Sequence, residues 1–274
     1  MLLMIILIVS GVRTQAQSFN ASCHFKHLNV QNGLPQNIVY HFLQDGRGYM
    51  WIGTHNGLSL FDGIKVINFL HSDQDTGSIA GNFISSVLED SAQQIWIGND
   101  KGIDLYDRNH NSFVHFGVDR PDGSKDDTYC VLLGFVSREE LWFLDTKTRS
   151  IRSLNLKNRH SSFVSEFNTY HGLLYKGSAD IVNIWSAYDK GTIHQVYRKN
   201  KLIKQQTYFS GKGGLFTNFE LVVYHVLQQN DSTVWLSANE GLVRLNPLTN
   251  QYQVLKSWQK ETVKEARYAA MSPE

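Results

Sequence analysis

"WIGTHNGLSLFD" at residues 51–62 returns almost unchanged as "WIGNDKGIDLYD" at residues 96–107. Working outward, Trp51, Trp96, Trp142, Trp185 and Trp235 follow one another at intervals of 45, 46, 43 and 50 residues, and Trp258 alone stands outside the series. Six residues after each lie Gly57, Gly102, Thr148, Gly191 and Gly241. Glycine makes up only 21 of the 274 residues, so four matches in five at a fixed offset mark a true internal repeat.

Each unit has the same physical grammar. "NIVYHFLQDGRGYMW", "NFISSVLEDSAQQIW" and "ELVVYHVLQQNDSTVW" are β-branched, alternating stretches that end in polar turns, the pattern of a strand that reverses. The tryptophan opens a second strand. Asn56-Gly57, Lys101-Gly102, Lys190-Gly191 and Glu240-Gly241 then supply a tight hairpin, where glycine accepts positive φ without steric cost. A third strand ("LSLFD", "IDLYD", "LVRLN") and a fourth ("KVINF", "SFVHF", "QYQVL") complete the unit. Four strands every 45 residues or so is the period of propeller blades, not of helical solenoids. A blade cannot bury its own faces, so each presents one large flat ring to its neighbour. Tryptophan buries about 150–250 Å² there while its indole N–H finds a carbonyl. Trp51, Gly57, Trp96, Gly102, Trp142, Trp185, Gly191, Trp235 and Gly241 are therefore structural, and the third unit departs from the pattern at Thr148.

The expected fold is an all-β propeller with five four-stranded blades. "EARYAAMSPE" at residues 265–274 resembles the opening strand of a sixth, which predicts an incomplete ring. Ahead of the first blade, Phe25 to Val30 reads as a strand that would complete the last one. A lone piece of such a ring is expected to associate or to unfold with poor cooperativity through its open terminal faces.

Composition narrows the function. Basic residues number 26 and acidic ones 25, with no run of like charge, which argues against nucleic acid or anionic membrane as partners. Leu2 to Val9 is apolar and is followed by Thr14-Gln15-Ala16, small residues of the kind cleaved in export, although no Lys or Arg precedes the run. Residues 1–16 are thus read as a signal peptide and residues 17–274 as the N-terminal part of a propeller domain. A bilayer-spanning helix needs about 18 apolar residues, more than this run supplies. Cys23 and Cys130 do not make a disulfide scaffold, and two unpaired thiols is the favoured state, with pairing left open. Cys23, His24 and His27 lack the second ligand pair of a metal site, so neither metal nor cofactor is expected.

"GLPQN", "LQDGRGYMWIGTHNGLSLFDG" and "SSVLEDSAQQIWIGNDKGIDLYD" resemble the two-component regulator propeller repeat. The resemblance is close in the first two units, fair around Trp235 and poor around Trp142 and Trp185. It implies the periplasmic half of a hybrid two-component sensor of gut Bacteroidetes. In that family propellers precede an immunoglobulin-like domain, a membrane helix, a histidine kinase and often a DNA-binding output. It further implies an oligosaccharide ligand, further blades and signalling domains as partners, and a homodimer of the whole protein. This chain has no kinase motif, so no enzymatic activity is assigned to it.

The hairpins between second and third strands share one face of a propeller. His55-Asn56, Asp100-Lys101, Asp189-Lys190 and Asn239-Glu240, with the between-blade connections, are the candidate ligand contacts, although such residues are also what hairpin turns prefer. The rivals are an exported propeller enzyme acting on glycans and a protein-interaction platform. A sialidase-type aspartate box places Asp five residues before Trp, whereas Asp45–Trp51 and Asp90–Trp96 are six apart. Glu89-Asp90 and Glu139-Glu140 are expected to be solvated turn residues.

Overall fold

The computed structural model describes residues 27–167, 173–176, 180–188, 191–209, 214–216, 222–239 and 241–256. The first blade comprises β1 (Val39–Gln44), β2 (Met50–Thr54), β3 (Gly57–Phe61) and β4 (Val66–Phe69); the second comprises β5 (Ile84–Glu89), β6 (Ile95–Asn99), β7 (Gly102–Asp107) and β8 (Ser112–Phe116). A short hairpin, β9 (Val118–Asp119) and β10 (Lys125–Asp126), fills the connection to the third blade of β11 (Cys130–Ser137), β12 (Glu140–Asp145), β13 (Ser150–Asn155) and β14 (Ser161–Glu166). The fourth has β15 (Leu173–Lys176), β16 (Ile181–Tyr188), β17 (Gly191–Arg198) and β18 (Lys201–Phe209), and the fifth β19 (Val223–Asn230), β20 (Thr233–Ala238), β21 (Gly241–Asn246) and β22 (Gln251–Lys256). Every blade is a four-stranded antiparallel meander in chain order, and among the described residues no strand of the fifth pairs with the first, so hydrogen bonds do not close the ring.

The repeated indoles are wedged between blades. Trp51 packs on Ile84, Val87 and Tyr106 of the second blade, and Trp96 on Cys130, Leu141 and Phe143 of the third. Trp142 meets Val182, Ile184 and Tyr197 of the fourth, and Trp185 meets Val226, Leu236 and Val243 of the fifth. Each such indole contributes about 4–6 kcal/mol by area, an upper figure. Trp235 differs. Its neighbours Val234 and Leu236 join the layer under the fourth blade, so strand alternation turns Trp235 to the opposite face, where it is only half-buried. The first blade is open on its own far side, with Phe42 70% exposed, as the fifth is at Leu227, 56% exposed.

The indole N–H groups do not bond backbone carbonyls as expected. Trp51 Nε1 donates to Asp45 Oδ2 at 3.0 Å, Trp96 to Asp90 Oδ2 at 3.0 Å, and Trp235 to Gln229 Oε1 at 2.9 Å, in each case six residues upstream. Trp142 uses Glu140 Oε1 at 3.0 Å, and Trp185 reaches Gln228 Oε1 in the fifth blade at 2.6 Å. The strand carbonyls are occupied by ladder bonds, whereas side chains in the turns (Asp45, Asp90) and near strand ends (Glu140, Gln228, Gln229) can reach the indole. This also corrects the expectation of solvated turn carboxylates: Asp90 and Glu140 hold indoles, and Glu89 Oε2 accepts from Gly46 N at 2.8 Å across the first two blades. Glu139 alone of the four is exposed, paired with Lys157.

The hairpin glycines have positive φ, from 115° at Gly57 to 150° at Gly191, but each closes the turn instead of lying within it: Gly57 pairs with Thr54 and Gly102 with Asn99. Close approach adds to the demand, since a Cβ on Gly191 would lie 2.0 Å from Tyr208 O of the fourth strand. The third blade reaches the same end differently. Its longer turn runs from Asp145 to Ser150, and Arg149 rather than Thr148 takes positive φ, 49°. The predicted opening strand also needs correction. His27 and Leu28 are irregular and Val30–Asn32 form a 3-10 turn capped by Asn29, with Gly33 at φ 107°; Phe25 lies outside the described residues, as do the signal segment, Cys23, His24 and the 265–274 stretch. Cys130 is a buried free thiol, which burial holds well above the ordinary thiol range.

Candidate functional site

Antiparallel order puts the β2–β3 and β6–β7 hairpins on the same face as the connections entering β5 and β11. Local chemistry fixes these turns. Thr54 Oγ1 donates to Gly57 O at 2.8 Å and accepts from Asn56 N at 3.1 Å, while Asn99 Oδ1 accepts from Lys101 N at 2.8 Å. Both side chains are wholly buried, so the exposed tips His55-Asn56 and Asp100-Lys101 stand on rigid bases.

A cleft of about 710 Å³ opens between them, lined by Gln36, His55, Asn56, Asn82, Phe83, Asp100 and Tyr129. Phe83 is its centre. It precedes β5 as Tyr129 precedes β11, and the registers Ile84↔Asn99 and Cys130↔Asp145 show that the two rings hold equivalent places in successive blades. Phe83 meets Tyr129 edge to face at 5.3 Å, Tyr40 at 4.7 Å and His55 at 4.9 Å. Tyr40 Oη lies 3.5 Å from His55 Nδ1. Burial, with smaller contributions from Tyr40, Asp100 and Cys130, pushes the Tyr129 phenol up to about 12, so it keeps its proton and remains a donor. Asn82 ties the walls together: its carbonyl accepts from Gly57 N at 2.6 Å and its Oδ1 from His71 N at 2.8 Å.

Of the residues expected at the mouth, the structure brings His55, Asn56 and Asp100 into one cleft. Lys101 is exposed beside it but does not line it. Asn239 is engaged with the fifth blade's own backbone, its Oδ1 accepting from Val222 N at 2.8 Å. Asp189, Lys190 and Glu240 lie outside the described residues. The aromatic wall escaped the reading of hairpins, because Phe83 and Tyr129 sit just before first strands, at a position where the first and fifth blades carry Ile38 and Val222. On the opposite face, a smaller cleft of about 200 Å³ is lined by Asp90, Ser91, Phe135, Ser137 and Arg138, but Asp90 there is already committed to Trp96. Among the described residues no three His, Cys, Asp or Glu side chains converge as metal ligands, and no helix is long and apolar enough to cross a membrane.

Comparison with solved structures agrees with the architecture. The extracellular domain assigned to a hybrid two-component system of B. thetaiotaomicron is similar with a TM-score of 0.65, at 20% identity over 85% of this chain and 32% of its own. An extracellular domain assigned to a one-component system of the same organism gives 0.59, at 18% identity over 85% and 33%. An auxiliary nutrient binding protein from Bacteroides thetaiotaomicron gives 0.54, at 8% identity over 79% and 56%. The chain thus spans about a third of the length of the first two. No curated protein matches the sequence. Residues 33–56 and 78–101, which hold the Asp-to-Trp turns and mouth hairpins of the first two blades, match the two component regulator propeller family, and the chain therefore carries two-component regulator propeller repeats.

Proposed function

We propose that this chain is the extracytoplasmic ligand-sensing propeller of a two-component system, of the hybrid kind, and that its ligand is an oligosaccharide. The observation that carries the reading is the cleft at the mouth of the first three blades, where aromatic rings and amide, phenol and carboxylate groups converge on a rigid base. Sugars present apolar C–H faces and a rim of hydroxyls, and a site with both kinds of wall suits them. The regulator repeats in the same two blades support a role in signalling, and the extracellular neighbours of the same fold accord with an exported location. Among the described residues the cleft lining holds one carboxylate, Asp100. Ligand would act by preferring one of two arrangements of the whole receptor, with kinase and membrane segments supplied by the rest of the protein.

The test is a calorimetric screen of glycan fragments against the chain and its Phe83→Ala variant. Binding of at least one saccharide, weakened about tenfold or more by loss of the central ring, is the expected result. A saccharide that binds both forms equally would move the site elsewhere, and no binding across the screen would remove the oligosaccharide reading.

A further inference from the structure

Resting on the cleft as a saccharide site, we infer that it is built for a saccharide carrying a protonated amine, in preference to a neutral or acidic counterpart. Tyr40, Phe83 and Tyr129 form a continuous contact series across the first three blades, with centroids 4.7 Å and 5.3 Å apart. An aromatic face carries negative quadrupolar charge and attracts a cation, and it does nothing comparable for an anion.

Asp100 supplies the full charge. Its Oδ1 accepts from Phe83 N at 3.2 Å, which fixes the carboxylate beside the central ring. Gly81 makes room for it: a Cβ there would fall 2.1 Å from the same Oδ1. The second oxygen, Oδ2, has no partner among the described residues and is left to accept from a ligand. A hydrogen bond between an ammonium and a carboxylate is roughly twice as strong as one between neutral groups, so this oxygen rewards an amine over a hydroxyl or an amide.

No lysine or arginine is among the lining residues. Lys101, next to Asp100 in the hairpin, is exposed and does not line the cleft. The Tyr129 phenol stays neutral because burial holds it near 12, so it adds a donor without adding charge. An acidic sugar would meet Asp100 with no lysine or arginine among the lining residues to offset it, and rejection by like charge is an effective source of selectivity.

The experiment titrates the full chain at pH 7 with three disaccharides of one linkage: the β-1,4-linked glucosamine dimer, its di-N-acetylated form and a uronic-acid dimer. The amine dimer should bind about fivefold or more tightly than the acetylated form, with the acidic dimer weakest and the preference shrinking as salt is raised. Asp100→Asn keeps the Oδ1 acceptor for Phe83 N and should fold with an unchanged circular dichroism spectrum while losing the preference. Tyr40→Ala, at a ring already exposed, should weaken the amine dimer several-fold. Equal or tighter binding of the acetylated or acidic dimer, or an unchanged preference in Asp100→Asn, would overturn the charge selectivity. If none of the three binds but another saccharide does, the amine preference alone falls. If no saccharide binds at all, the saccharide reading falls with it.

Discussion

Asp45 accepts four hydrogen bonds, from Arg47 N, Tyr49 N, Trp51 Nε1 and Arg108 Nη2, and is 4% exposed. Burial pushes its carboxyl up, but the bonds from Trp51, Arg108, Tyr49 and Arg47 together outweigh this and hold it below the ordinary carboxylate range. Its stabilising contribution is therefore full above about pH 4 and lost as pH falls through the lowered native value. Asp45→Asn should cost about 2–3 kcal/mol in urea unfolding, since the amide cannot serve both Trp51 and Arg108; Asp90→Asn, with no arginine partner in the corresponding turn, should cost about 1 kcal/mol. Equal losses would show that the Arg108 pair adds nothing. His194 titrates with the opposite chemistry. Its ring stacks on Trp185 at 4.0 Å with planes 5° apart, and burial, helped by Lys204, lowers its pKa to about 4. The unfolded chain binds this proton from about pH 6.5 downward while the native state resists until about 4, so acidification through that window destabilises the fold. Between pH 7.5 and 4, the wild-type chain should lose about 3 kcal/mol more than His194→Phe, measured by denaturant unfolding at each pH. Identical pH profiles would contradict the buried neutral imidazole.

The hairpin turns show how far a sequence pattern reaches at the level of elements. Gly191 combines φ of 150° with the Tyr208 carbonyl at 2.0 Å from a would-be Cβ, so Gly191→Ala should cost about 3 kcal/mol or more, read from the thermal midpoint. In the third blade the same offset lands on Thr148, whose hydroxyl bonds Asp145 Oδ2 at 2.7 Å and Ser150 Oγ at 2.7 Å. Arg149 holds the left-handed conformation instead. Arg149→Gly should accordingly be neutral or stabilising by up to about 1 kcal/mol, and Thr148→Gly destabilising; the reverse order would mean that the turn has been misplaced. The period of the tryptophans and glycines made four strands per unit legible, because indole wedges and positive φ leave few residue choices. Side-chain partners of the indoles were not legible, since an Asp six residues upstream looks like ordinary turn chemistry until Trp51 and Trp96 are seen donating to it. Of the residues expected as a strand, Phe25 to Val30, the described ones, 27–30, form none, because Asn29 and Gly33 cap a 3-10 turn over Val30–Asn32.

Across the whole molecule, four inter-blade layers bury Trp51, Trp96, Trp142 and Trp185, while the outer sides of the first and fifth blades keep Phe42, Leu227 and Trp235 in partial or full contact with solvent. Sedimentation velocity should find the chain self-associating as its concentration rises, with Phe42→Ser and Leu227→Ser together reducing this; a concentration-independent monomer would show that these faces are inert. The candidate site was half legible: turn chemistry pointed to His55, Asn56 and Asp100, while Phe83, at the head of the quoted strand "NFISSVLED", and Tyr129 become neighbours only when blades are set side by side. That convergence is the centre of the functional account. Hydrogen–deuterium exchange of the chain with and without a binding oligosaccharide tests it most directly. Slower exchange is predicted at residues 55–56, 82–83, 100 and 129, on the face that holds the larger cleft; protection confined to Asp90, Phe135 and Arg138 on the opposite face, or no protection on either, would contradict it.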